Sequence, residues 1–199
     1  MKTNAIEIQS SYTAYLEALH NALDALVVTD IRQRIVPQEE GLLQWCKLCR
    51  DAKADNRTMY FVGNGASATM ASHMAADFSK NCGCRALAFN DIALMTAVSN
   101  DMRYEDCFAM PLERFANPKD VFVTVSSSGN SPNVLKAAKS ARTLGLTVVT
   151  LSGMREDNAS RRLGDLNFWI PADTYGLVES SHQALLHCWL DTYLELYEN

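Results

Sequence analysis

Apolar positions in the first quarter of the chain recur at helical spacing, at Ile8, Tyr12, Tyr15, Leu16, Leu19, Leu23, Leu26 and Val27, with no glycine or proline between residues 6 and 28. That pattern predicts a long amphipathic helix over residues 6–28. A second helix is expected from Pro37 to about Arg50, burying Leu42, Leu43, Trp45, Cys46 and Cys49. The two would form a helical hairpin in front of a sheet. The stripe on the first helix is wide for one packing surface, so part of it is expected to meet another subunit.

From Thr58 the pattern changes to short apolar runs alternating with helical segments. Residues 59–62, 85–89, 121–125, 147–152 and 166–170 read as strands. Between them, helices are predicted over 67–80, 91–98, 111–115, 132–144 and, briefly, 158–163, and the chain closes with a helix over 178–198. Five strands at βαβ spacing predict the α/β class: a five-stranded parallel sheet sandwiched by helices. No linker or repeat breaks the chain, so a single domain over 1–199 is expected, with the hairpin over 1–56 and the αβα core over 57–199. Ligands of such sheets sit beyond the carboxyl ends of the strands.

Two loops lie at those ends. Ser126, Ser127, Ser128, Gly129, Asn130 and Ser131 join the strand 121–125 to a helix led by Pro132. Several backbone N–H groups and up to four hydroxyls there meet the positive end of a helix, which suits a phosphate. The plainer alternative is that Ser131 caps the helix and the other serines fill a turn. A similar turn, Gly63-Asn64-Gly65-Ala66-Ser67, follows the first strand of the core. Neither GxGxxG nor GxxxxGK[ST] occurs, so no nucleotide cofactor is expected and the ligand should be smaller.

The 199 residues are 48% hydrophobic with a net charge of -5, enough for one full core. No lysine or arginine cluster appears, which removes the footprint of direct nucleic-acid binding. The chain opens Met1-Lys2-Thr3-Asn4 without the apolar core of a signal peptide, and no run approaches the roughly 20 apolar residues that span a bilayer. No membrane association and a cytoplasmic location are expected. The six cysteines are therefore expected to be reduced, with Cys46 and Cys49, and Cys82 and Cys84, as packing residues rather than a zinc site.

Titratable candidates sit on two helices. His73 and Asp77 are four apart and share a face. On the last helix, Glu179, His182, Gln183 and His187 interrupt an otherwise apolar surface of Leu185, Leu186, Trp189, Leu190 and Leu194. If the helices meet, His73, Asp77, Glu179 and His187 would suit zinc or a similar divalent ion.

The order of GNGAS (63–67), SxxMASHMAADF (67–78), SND (99–101), SSSGNSPNVLKAA (126–138), GLTVVTLSG (145–153) and ESSHQALLHCWLD (179–191) resembles the sugar isomerase (SIS) domain, of flavodoxin-like three-layer αβα form. More narrowly, it is similar to the phosphoheptose isomerases, over nearly the whole chain. That resemblance implies conversion of sedoheptulose 7-phosphate to D-glycero-D-manno-heptose 7-phosphate, for lipopolysaccharide or capsule heptose. It also implies a homotetramer with active sites between subunits, and one zinc per subunit.

Residue by residue, the resemblance implies phosphate contacts at Ser126, Ser127, Ser128 and Ser131. Sugar contacts fall on Asn64, Gly65, Ala66, Ser67, Asn100 and Asp101, with Glu179 also at the substrate. Asp77 and His187 become the acid/base pair, and His73, Asp77, Glu179 and His187 the metal ligands. Three positions depart from the family pattern: Ala66 replaces a glycine, Asp77 a glutamate and Glu179 a glutamine. The implied chemistry is aldose–ketose isomerisation through an enediol. A second reading is a sugar-phosphate-binding scaffold without turnover, similar to the DnaA initiator-associating protein.

Overall fold

The computed structural model describes residues 5–198, with side-chain surroundings from residue 11 onward. The first helix, α1 (Ala5–Asp24), is followed by strands β1 (Val27–Asp30) and β2 (Ile35–Val36), then α2 (Gln38–Ala54) and β3 (Thr58–Gly63). The alternation continues with α3 (Ala66–Asn81), β4 (Arg85–Ala88), α4 (Ile92–Asp101), α5 (Ala109–Phe115), β5 (Val121–Ser126), α6 (Pro132–Thr143), β6 (Thr147–Gly153), β7 (Leu166–Ile170) and α7 (Tyr175–Tyr197). Short 3-10 turns cover Tyr104–Asp106 and Ala159–Arg162.

Among the described residues these strands form one sheet of seven, in the order β2-β1-β7-β6-β5-β3-β4. The five expected strands are all present and parallel to one another. Two more precede them, so the count of five is corrected to seven. β1 runs antiparallel to β7, pairing Val27 with Trp169 and Asp30 with Leu166, and β2 runs antiparallel to β1. The helix expected to reach Val28 stops at Asp24. Leu23, Leu26 and Val27 keep the helical period, but Val27, Val28 and Thr29 are β-branched and the free edge of β7 offers them a ladder. The two N-terminal helices are therefore separated by a β-hairpin; they touch where Gln38 donates to the Asp24 carbonyl at 2.8 Å, and each also packs on α7, with the Tyr15 hydroxyl 3.2 Å from Ser180 Oγ and Trp45 stacked on Trp189 at 3.8 Å. Ile6 and Ile8 of the predicted stripe lie outside the residues whose side chains are described.

β3 and β5 are buried along their whole length, as inner strands covered on both faces must be. Their side chains alternate between two cores. Met59, Phe61, Val121 and Val123 pack with α2, α3 and α7, while Tyr60, Val62 and Phe122 pack with α4, α5 and α6. The first core is centred on Trp189, which stacks on Phe78 at 4.2 Å as well as on Trp45. Truncating a fully buried tryptophan of this kind costs about 3–5 kcal/mol. Gly41 lets α2 approach β1, since a Cβ there would lie 2.7 Å from Val28 Cγ1. No helix among the described residues is long and apolar enough to cross a membrane.

Candidate functional site

The 126–131 loop turns sharply after β5. The Gly129 N–H donates to the Ser126 carbonyl at 2.9 Å, closing the turn. Gly129 itself has φ of 61°, and a Cβ there would fall 2.1 Å from Asn158 Oδ1. Only glycine fits both constraints. The loop is held from below by the neighbouring segment: Ser160 N–H donates to the Gly129 carbonyl at 2.9 Å, and Ala159 N–H to Asn130 Oδ1 at 3.0 Å.

Ser126, Ser127, Ser128 and Ser131 line one cavity of about 150 Å³ together with Asn64, Ser67, Tyr175 and Glu179. Ser131 is the N-cap of α6, yet its side chain makes no cap bond, and Pro132 follows it. The plainer alternative thus has its N-cap position and its turn, with Asn130 N–H donating to Ser128 Oγ at 3.2 Å, but not its cap bond, and the Ser131 hydroxyl stays with the cavity, 3.5 Å from Ser126 Oγ. Ser127 is buried and its hydroxyl has no hydrogen-bond partner among the described residues. A buried donor left open in the loop that leads into a helix is what an oxyanion would satisfy. No basic side chain lines the cavity among the described residues. Lys136, the first cation after the loop, is paired with Asp106 at 2.5 Å.

Asn64 is tied into the wall. Its amide exchanges two bonds with Asn133, at 2.9 and 2.8 Å, and its Oδ1 also accepts from the Tyr104 hydroxyl at 2.9 Å. Gly65 and Ala66 are exposed where α3 begins, and Ser67 is buried against the cavity. Asn100 and Asp101 end α4, joined to each other at 2.8 Å. Neither lines the serine cavity; Asn100 faces a separate groove with Ile92, Met95 and Tyr104.

A second cluster forms where α3 crosses α7. His73 Nε2 lies 3.3 Å from Asp77 Oδ2, and the His73 and His187 rings meet edge-on with centroids 5.3 Å apart. One ligand atom from each of His73, Asp77 and His187 lies within 4.8 Å of the others. Two imidazoles and a carboxylate are an ordinary donor set for zinc or a similar divalent ion, with positions left for substrate or water. Glu179 does not join them. It precedes His187 by two helical turns and lies in the serine cavity instead.

Asn133, Tyr104 and Tyr175 join the site without having been singled out from the sequence. Asn133 follows the serine loop directly, which was a usable signal, whereas Tyr104, on a 3-10 turn, and Tyr175, the first residue of α7, arrive from elsewhere in the chain. His182, noted on the same helix, is fully buried and faces the sheet, with Nε2 3.1 Å from the Ser152 carbonyl. A carbonyl only accepts, so Nε2 carries the proton. Burial pushes the His182 pKa down to about 4, and the bond to Ser152 offsets that only in part. Ser152 pairs with Ser126 across the sheet, and Gly153 N–H donates to the Ser127 carbonyl at 3.0 Å. His182 thus braces the strand end that supports the serine loop.

The SIS domain pattern matches residues 25–153. A phosphoheptose isomerase of Helicobacter pylori strain P12 is 31% identical over 190 residues, covering 92% of both chains. One from Mycobacterium bovis (strain BCG / Pasteur) is 38% identical over 136 residues, 65% of this chain and 68% of that one. Among solved structures, the phosphoheptose isomerase of Neisseria gonorrhoeae superposes with a TM-score of 0.82 at 24% identity, over 96% of this chain and 98% of that one. The one from Francisella tularensis gives 0.80 at 24% identity, over 97% and 99%. With the pattern spanning more than half its length and near-full-length relatives at this identity, the chain belongs to the SIS domain family, on its phosphoheptose isomerase branch.

Proposed function

We propose that the protein is an aldose–ketose isomerase that converts sedoheptulose 7-phosphate to D-glycero-D-manno-heptose 7-phosphate. The observation that carries this reading is the pairing of an anion-ready serine cavity with a separate carboxylate–imidazole cluster, Asp77 with His73 and His187. The relatives' names supply the seven-carbon substrate.

In this reading the substrate phosphate is held by Ser126, Ser127, Ser128 and Ser131 and by the start of α6, remote from the reacting carbons, and its binding energy positions the sugar. Asp77 removes a proton from C1 of the ketose. The C1–H electron pair becomes the C1=C2 bond as the C2 oxygen takes a proton, giving the enediol. Return of a proton to C2, with loss of the O1 proton, gives the aldose. His187 carries the proton that moves between the oxygens. His73, Asp77 and His187 would hold a divalent ion such as zinc, which when bound would polarise the carbonyl.

The assembly we propose is a homotetramer with sites at subunit interfaces, supported by the apolar residues Tyr12, Tyr15 and Leu16 left exposed on α1. A cytoplasmic seat is supported by six free cysteines, five of them buried. The test is to incubate the protein with sedoheptulose 7-phosphate and zinc and follow the aldose anomeric proton by NMR. Appearance of the aldose supports the enzyme. Binding without aldose or solvent exchange would leave the scaffold reading in its place.

A further inference from the structure

A cavity of about 520 Å³ lies between the β1–β2 hairpin and the segment joining β6 to β7, and it shares no lining residue with the serine cavity. Arg161 lines it while only 8% exposed. Its Nη1 donates to the Glu156 carbonyl at 2.6 Å, its Cζ sits 4.5 Å from the Trp169 ring centroid, and its Nε has no partner among the described residues. The nearest carboxylate, on Glu156, is 3.7 Å away and 78% exposed. A guanidinium has five N–H donors in a planar fork, and here the Nη1 end is engaged by Glu156 while the buried Nε is left open. Burial lowers its pKa accordingly.

The rest of the lining has matching chemistry. Thr29, on β1, is 3% exposed and its hydroxyl also lacks a partner among the described residues. Arg162 adds a second guanidinium. Asp157 is held by Arg155 at 2.9 and 3.0 Å and Glu156 faces Arg161 at 3.7 Å, so both carboxylates of the lining already have a cationic partner. Gln33 fixes the arrangement by donating Nε2 to the Arg161 carbonyl at 2.6 Å. The balance favours an oxyanion, and the space exceeds what the oxyanion alone would occupy.

We infer that this cavity is a second ligand site that takes a small phosphorylated polyhydroxy compound, with its phosphate on Arg161 and Arg162 and its hydroxyls on Thr29 and Glu156. Asn158 lines the cavity and also packs beneath Gly129, so an occupant would lie directly behind the serine loop. The two sites remain chemically distinct. One uses neutral donors and the other uses guanidiniums.

Calorimetric titration with inorganic phosphate, and separately with glycerol 1-phosphate, tests the inference. Two equivalents are expected in the native protein. The Ser127→Ala/Ser128→Ala variant should keep the second equivalent, which isolates this site even if the serine loop binds no phosphate. Arg161→Gln should weaken that equivalent tenfold or more. Should Arg161→Gln fail to fold, Ile35→Trp decides: Ile35 lines the cavity but is 79% exposed, so a larger side chain there fills the space without entering the core. A single equivalent removed by the serine substitutions, or a second equivalent untouched by Arg161→Gln or Ile35→Trp, overturns it.

Discussion

Glu179 and His187 stand eight residues apart on α7, about 12 Å along its axis, so Glu179 faces the serine cavity while His187 meets the ring of His73. One helix thus contributes to both the serine cavity and the carboxylate–imidazole cluster. It places a carboxylate where a phosphate is expected, with no cation among the described lining residues to offset it.

Replacing that carboxylate should therefore strengthen binding. Two like unit charges 4 Å apart in water oppose each other by about 1 kcal/mol. Glu179→Gln is expected to tighten inorganic phosphate severalfold in a calorimetric titration near neutral pH. Weaker binding would mean that Glu179 accepts a hydrogen bond from the ligand instead of repelling it.

Ser127→Ala separates binding from stability. The hydroxyl has no partner among the described residues, so its removal should leave the melting temperature nearly unchanged. Sugar-phosphate affinity should fall by about 1–3 kcal/mol, the cost of a lost bond to a charged group. A drop in stability with affinity intact would assign the hydroxyl a purely structural part.

For Asp77→Asn, the readout is exchange of deuterium from heavy water into C1 of bound sedoheptulose 7-phosphate. Loss of a positioned base costs about 10²–10⁴-fold, and phosphate binding at the separate serine loop should persist. Zinc content is measured alongside, with His73→Ala as the control that should lose metal. Exchange that survives in Asp77→Asn would pass the base role to His187.

The pH dependence of stability should carry the mark of His182. Its folded pKa of about 4 lies below the ordinary 6.5, so the unfolded chain binds the extra proton first as pH falls. The stabilisation is fully present above about pH 6.5 and is lost progressively as pH falls to about 4, by which point the loss would amount to about 3 kcal/mol. Denaturant unfolding at pH 7 and pH 4.5 should show a smaller difference in His182→Gln than in the native protein. Equal differences would show that other groups carry the acid sensitivity.

Local patterns were readable from the sequence and distant ones were not. The serine loop is a strand, a polar turn and a proline-led helix in one continuous stretch, so its chemistry needed no tertiary information. His73 and Asp77 are four apart on one helix, and their 3.3 Å contact follows from helical geometry. Val27 and Val28 were harder. Their spacing continues the helical stripe, and only the unpaired edge of β7, far along the chain, makes them a strand. Glu179 shows the same limit: its spacing placed it on one side of α7 with His187, but two turns of rise deliver it to a different cavity.

The edge hairpin also sets an order of events. Thr29 and Asn167, joined through the Thr29 carbonyl, are 138 residues apart, and α1 rests on α7, the last helix. On a growing chain, β3, β5 and β6 can assemble first, while residues 5–36 have only α2 to rest on until β7 and α7 have been made. Closing so long a loop is slow. A chain cut short before β7 would release its beginning as well as its end, leaving the β-branched edge of β1 and the apolar side of α1 open to other molecules.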